Sequence, residues 1–106
     1  RSLRLMVVDD NEDAARTLGV LLQAQGHRVD VEIDPRQALA RATRVMPDAF
    51  ILDIGMPHLD GYELARRLRA LPCAHRPVLI ALTGYGHPSD RTRAQVAGFD
   101  HHLIKP

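Results

Sequence analysis

The stretch AFILDIGMPHLDG at residues 49–61 decides how this chain folds and where its chemistry lies. Four apolar residues lead into Asp53, and Pro57 and Gly61 follow soon after it. A short apolar run that ends at turn residues is typical of a strand covered on both faces. The carboxylate at its end is either a turn residue or a reactive group, and the rest of the chain must distinguish the two.

Outward from this stretch, short apolar runs alternate with amphipathic helical patterns along the whole chain. Strands are predicted at residues 3–8, 27–33, 49–52, 77–82 and 101–104, and helices at residues 11–25, 35–46, 61–71 and 88–97. The helical stripes include Leu21 and Val45 as inward-facing residues. The second strand alternates polar and apolar residues, which favours a position near an edge of the sheet or one with a face open to water. Strands that alternate with helices predict right-handed crossovers and a doubly wound α/β sheet of parallel strands.

Polar side chains follow four of these strands where each strand ends. Asp9 and Asp10 follow the first, Asp53 the third, Thr83 the fourth and Lys105 the fifth. The carboxyl ends of parallel strands meet at one edge of a sheet, where ligands of such sheets bind. Three neighbouring carboxylates repel one another, and Mg2+ would relieve that repulsion. A carboxylate, a metal, a lysine and a hydroxyl together suit phosphoryl transfer.

Each of these residues also has an ordinary structural interpretation. Asp10 or Asn11 could cap the first helix, Asp53 could sit in a turn, and Thr83 could bond to the backbone. Lys105 could be a surface lysine. The functional interpretation depends on all of them occurring together at successive strand ends.

Composition narrows the function further. Lys and Arg total 14 and Asp and Glu total 13, so the net charge is +1, and no basic excess exists to bind nucleic acid directly. The length of 106 residues suits one domain. Cys73 is the only cysteine, which excludes an internal disulfide and fits a reducing compartment. No signal peptide or membrane-spanning segment is recognised, so we expect a cytoplasmic domain without membrane contact.

At this point the sequence resembles a known family, the receiver domain of response regulators in bacterial two-component systems. The resemblance covers the whole chain and is carried by residues 8–11, 51–57, 60–61, 81–83 and 104–106. It implies a flavodoxin-like five-stranded sheet with strand order 2-1-3-4-5. The amino-acid sequence of residues 81–106 is most similar to those of receivers attached to hybrid histidine kinases.

The resemblance also implies a role for each site residue. Asp53 would accept a phosphoryl group from a histidine of a histidine kinase or a histidine phosphotransfer domain. Asp10 would bind Mg2+ directly, Asp9 would do so largely through water, and the Gly55 backbone carbonyl would complete the ligands. Thr83 and Lys105 would contact phosphoryl oxygens. The Lys105–Pro106 bond is similar to a cis peptide of the family, and Asp60 can cap the third helix.

Two features depart from the family pattern. His102 stands where the family often has an aromatic residue that moves with Thr83 on phosphorylation. The family also has one more helix after Pro106, so we expect residues 1–106 to be a receiver domain cut before its final helix. Dimerisation stays open, as do the cognate kinase, the output and the lifetime of the phosphoryl group.

Two alternative functions stay open. The first is a receiver-like interaction module that is never phosphorylated. The second is a Mg2+-dependent phosphatase with an aspartyl nucleophile, but such enzymes place an acid two residues after the nucleophile, where this chain has Gly55. A histidine metal site is disfavoured because His101 and His102 point to opposite faces of a strand. We therefore expect a signalling phosphoacceptor with self-phosphorylation and autodephosphorylation chemistry, rather than an enzyme.

Overall fold

The computed structural model describes residues 2–55, 61–84 and 88–105; for residues 88–90 it describes the backbone alone. Strands and helices alternate in the order β1 (Arg4–Val8), α1 (Glu12–Ala24), β2 (Arg28–Glu32), α2 (Pro35–Arg44), β3 (Ala49–Asp53), α3 (Gly61–Ala70), β4 (Val78–Thr83), α4 (Pro88–Ala97) and β5 (His101–Ile104). The described strands form one parallel sheet in the order β2-β1-β3-β4-β5. The predicted strand order and the edge position of β2 are confirmed.

Helix starts follow from side chains that satisfy free backbone N–H groups. The Asn11 side chain accepts a hydrogen bond from the Ala14 N–H at 3.1 Å and caps α1. Asp34 caps α2 through the Arg36 N–H at 2.9 Å, and Pro35 occupies the first turn. The predicted cap at Asp60 lies outside the described residues.

Alternate residues of the central strands feed two apolar clusters, one on each face of the sheet. Phe50 and Leu52 of β3 belong to the larger cluster, with side chains of α2, α3 and α4. Ile51 belongs to a smaller cluster with Ala15 of α1. Helices therefore pack on both faces, and the doubly wound prediction is confirmed.

Several elements begin or end one or two residues from the predicted positions, and the largest difference is in α2. Helix α2 ends at Arg44 rather than near residue 46, and Val45 is extended and exposed rather than inward. Pro47 disfavours helical geometry at the residue before it, so the helix stops early. Strands β3 and β4 each continue by one polar residue, to Asp53 and Thr83. Leu21, predicted to face inward, is also exposed.

Among the described helices, none combines the length and the apolar character that crossing a bilayer would require.

Candidate functional site

The strand register brings the predicted site residues to one edge of the sheet. Val8 pairs with Leu52, so Asp9 and Asp53 come next on neighbouring strands. Thr83 pairs with Ile104, and the following residue, Lys105, donates its backbone N–H to the Thr83 carbonyl at 2.6 Å. Residues distant in sequence are thereby fixed beside one another by backbone hydrogen bonds.

Three carboxylates lie at this edge. Asp9, Asp10 and Asp53 each offer an oxygen, and these oxygens lie within 4.8 Å of one another. Asp9 and Asp53 are only 3% and 8% exposed, whereas Asp10 is open to solvent. Carboxylate oxygens at this spacing are ligands that Mg2+ prefers, and an exposed member leaves room for the waters that it keeps. The donor set therefore fits Mg2+.

Lys105 lies between the two buried carboxylates. Its Nζ is 3.0 Å from Asp53 Oδ2 and 3.4 Å from Asp9 Oδ2. Burial alone would lower the pKa of Lys105, but the hydrogen bonds and charges of Asp53 and Asp9 raise it above its usual value. The ammonium is thus charged at neutral pH.

Asp9 experiences the crowding of the site. Burial raises the pKa of Asp9, and the neighbouring Asp53 raises it further. The Asn11 N–H, 3.0 Å from Asp9 Oδ1, and the charge of Lys105 offset part of this rise. The cluster therefore holds more negative charge than Lys105 neutralises, as expected for a cation site.

The Asp53 carboxylate is held at both of its oxygens. Oδ1 accepts the Gly55 N–H at 2.9 Å, and Oδ2 faces Lys105. The start of α3 also presses on this turn, because a Cβ at Gly61 would lie 2.6 Å from the Ile54 Cα and 2.7 Å from the Asp53 carbonyl oxygen. Only glycine allows this close approach, which fixes the end of β3.

A cavity of about 210 Å3 opens beside Asp53. Its lining consists of Asp53, Ile54, Gly55, Tyr62, Thr83, Gly84 and Arg93. Neither Tyr62 nor Arg93 is among the site residues predicted from the sequence. The spacing of Tyr62 with the buried residues Ala65 and Leu68 indicates an inward position, but Arg93 lies in a polar helix whose pattern carries no such signal.

His102 lies on β5 beside Ala81 of β4, on the face of the sheet that carries the larger cluster. The residue is half-buried, and both ring nitrogens are shielded from solvent without a hydrogen-bond partner among the described residues. The cis peptide predicted between Lys105 and Pro106 lies outside the part of the chain that the structure describes.

The chain matches known proteins over almost its whole length. The family model described as "Response regulator receiver domain" matches residues 5–106. The Gliding motility regulatory protein of Myxococcus xanthus is 37% identical over 105 residues, which are 99% of this chain and 14% of that protein. The chain thus spans a small part of that relative.

Solved structures give the same assignment. The chemotaxis protein CheY4 of Vibrio cholerae has a TM-score of 0.94 at 26% identity, covering 100% of this chain and 88% of that one. The receiver domain of the sensor histidine kinase PA1611 from Pseudomonas aeruginosa PAO1 has a TM-score of 0.88 at 33% identity, covering 100% and 87%. That structure carries a magnesium ion coordinated in its active site cleft.

Proposed function

Since this chain belongs to the response regulator receiver domain family, we propose that it accepts a phosphoryl group on Asp53 in a two-component phosphorelay. The donor would be a phosphohistidine of a histidine kinase or a histidine phosphotransfer domain. A place within a hybrid histidine kinase in the cytoplasm suits the likeness to the receiver domain of a sensor histidine kinase.

One observation carries this proposal: a charged lysine contacts the buried Asp53 carboxylate from within a cluster of three acids. A purely structural lysine would neutralise one carboxylate, and the remaining two would still repel each other. A site that binds a divalent cation and then an anionic phosphoryl group has a use for this arrangement.

In the proposed step, one Asp53 oxygen attacks the phosphorus of the phosphohistidine. A new O–P bond forms, the P–N bond breaks, and the imidazole nitrogen leaves with the electron pair and takes a proton from solvent. Lys105 already donates to Asp53 Oδ2 and can follow the negative charge onto the phosphoryl oxygens. Thr83, at the end of β4, lines the same cavity and can donate its hydroxyl to another of them.

The oxygens of Asp9, Asp10 and Asp53, with the Gly55 backbone carbonyl, would hold Mg2+. When bound, the ion supplies positive charge that offsets charge on the phosphoryl oxygens. Lys105 and the Gly55 N–H each contact one oxygen of the Asp53 carboxylate, and together they keep it oriented.

We also propose that Thr83 and His102 form the switch surface. The shielded imidazole of His102 lacks a hydrogen-bond partner among the described residues, which is unfavourable for a polar ring. A displacement of Thr83 toward a new phosphoryl group would loosen the strand next to His102, since β4 and β5 are paired there.

The test uses acetyl phosphate, Mg2+ and intact mass measurement. We expect the wild-type chain to gain the mass of one phosphoryl group and Asp53→Asn to gain none. Asp30→Asn, which removes an exposed carboxylate on β2, is the control and should be phosphorylated like the wild type. An equal mass gain in Asp53→Asn would place the acceptor on another residue.

A further inference from the structure

An arginine of α4 lies over an aromatic ring at the edge of the acceptor cavity. The guanidinium carbon of Arg93 is 4.3 Å from the centroid of the Tyr62 ring. Tyr62 is buried, and its ring meets Phe99 edge-on, with 6.4 Å between centroids and 81° between planes. A fixed ring therefore carries the guanidinium, although Arg93 itself is exposed.

The same two residues line the cavity that contains the Asp53 side chain and Thr83. The cavity volume of about 210 Å3 is that of several water molecules at about 30 Å3 each. The cavity therefore has space for a phosphoryl group and solvent. Lys105 does not line this cavity and borders a different one, together with Asp9. Arg93 and Lys105 thus approach Asp53 from different sides.

The surroundings of Arg93 differ from those of the arginines that form ion pairs in this fold. Arg16, Arg41, Arg66 and Arg69 all contact carboxylates, but no carboxylate in the described part of the chain lies within ion-pair distance of Arg93. Its planar set of N–H donors lies over the Tyr62 ring face, and such donors match two oxygens of a phosphate.

We propose that Arg93 is a second phosphoryl-binding cation, which pairs with the oxygens of the phosphoryl group on Asp53 from the α4 side of the cavity. The inference rests on the proposed phosphorylation of Asp53. Thr83 and Arg93 then contact the group on one side and Lys105 on the other, so that the guanidinium exchanges the Tyr62 ring for the phosphoryl anion.

A purely structural role for Arg93 predicts something different. If the guanidinium only packs on Tyr62, its removal lowers stability and leaves anion binding unchanged. If it binds the phosphoryl group, its removal weakens anion binding while Mg2+ binding at the acidic cluster stays the same, because Arg93 offers no ligand oxygen to the cation and the cavity that it lines includes neither Asp9 nor Asp10.

The experiment measures binding of beryllofluoride, a phosphoryl analogue that joins carboxylates, by calorimetry at saturating Mg2+. We expect Arg93→Gln to bind it about tenfold more weakly than the wild type, the size typical for one charge-assisted hydrogen-bonded pair. Arg91→Gln is the matched control, since it removes the same charge from the opposite side of α4 and should keep wild-type affinity. Arg93→Lys keeps the charge without the planar donor set, so its affinity for beryllofluoride should lie between those of Arg93→Gln and Arg91→Gln.

Equal affinities of Arg93→Gln and Arg91→Gln would overturn the inference and leave phosphorylation of Asp53 intact. Absence of binding to the wild type, together with absence of phosphorylation by acetyl phosphate, would overturn the proposed function as well. Should circular dichroism show that Arg93→Gln does not fold, Arg93→Lys is compared with Arg91→Gln instead. Weaker binding by Arg93→Lys supports contact between the planar guanidinium and the anion, and equal binding overturns the inference.

Discussion

Asp9 is the residue at which folding and function conflict most clearly. Its side chain is 3% exposed and lies beside Asp53, and these surroundings raise its pKa. An acid whose pKa is raised by folding stabilises the protein fully below its unfolded value of 3.8, and the contribution is lost as the pH rises through the folded value. At neutral pH the ionised form is therefore disfavoured in the folded state.

Asp9→Asn should accordingly be more stable than the wild type in metal-free buffer at neutral pH. The asparagine oxygen can still accept the Asn11 N–H, so the turn is kept while the repulsion with Asp53 disappears. Urea unfolding with and without Mg2+ measures this, and added Mg2+ should stabilise the wild type more than the variant. Asp13→Asn, a charge removal at the exposed start of α1, should bring no gain. A variant less stable than the wild type in metal-free buffer would contradict the account.

Asp100 connects three elements at the edge of the sheet opposite the site. It accepts hydrogen bonds from Arg69 of α3 and Arg76 of the following loop, both at 2.7 Å, and from the Leu79 N–H of β4 at 2.8 Å. Arg69 also donates to the carbonyls of Gly98 and Pro77. These contacts fix the starts of β4 and β5, and hence the strand ends that carry Thr83 and Lys105.

Stability should depend on pH through Asp100. Burial alone would raise its pKa, but the Leu79 N–H and the guanidinium groups of Arg76 and Arg69 lower it below 3.8. An acid whose pKa is lowered by folding stabilises the protein above its unfolded pKa of 3.8. This contribution is lost as the pH falls through the pKa of the folded state. Asp100→Asn should cost about 2 kcal/mol at neutral pH, since the side chain is 23% exposed and pairs with two cations.

Urea unfolding of the wild type and Asp100→Asn across the acid range tests this. The difference in the free energy of unfolding should be largest at neutral pH and shrink below pH 3.8. Asp30→Asn, which breaks an exposed ion pair with Arg41, should cost less than about 1 kcal/mol. A difference that stays constant into acid would show that Asp100 acts through its shape rather than its charge.

Sequence patterns predicted the elements and the convergence of Asp9, Asp53 and Lys105, because a parallel sheet leaves one edge at which strand ends meet. They did not predict what depends on tertiary contacts. The exposure of Val45 follows from the early end of α2, and the pairing of Arg93 with Tyr62 joins two helices whose packing no local pattern encodes. Periodicity reports which face a residue occupies, but not whether another element covers that face.

The two faces of the sheet are covered unequally. Helices α2, α3 and α4 contribute to the larger cluster, and α1 alone among the described helices contributes to the smaller one. Leu103 of β5 pairs with Leu82, whose side chain belongs to the smaller cluster, and yet Leu103 is 52% exposed. Leu21 and Val78 are also exposed, and a cavity of about 530 Å3 lies between α1 and Leu82. We propose that a further helix after Pro106, as the family resemblance implies, covers this face.

Leu103→Ser tests this proposal when it is made both in the 106-residue chain and in a longer polypeptide that carries the proposed helix after Pro106. In the 106-residue chain about half of the Leu103 surface is exposed to solvent. The variant should therefore change the free energy of unfolding by no more than about 0.5 kcal/mol. In the extended chain the same change removes a buried leucine and should cost about 2 kcal/mol or more. Val20→Ser, on the side of α1 that faces β2, should have the same small effect in both chains, because no further helix is expected there. An equally small cost of Leu103→Ser in both chains would mean that the face stays open or is covered by another partner, since burial by a following helix must appear as lost stability.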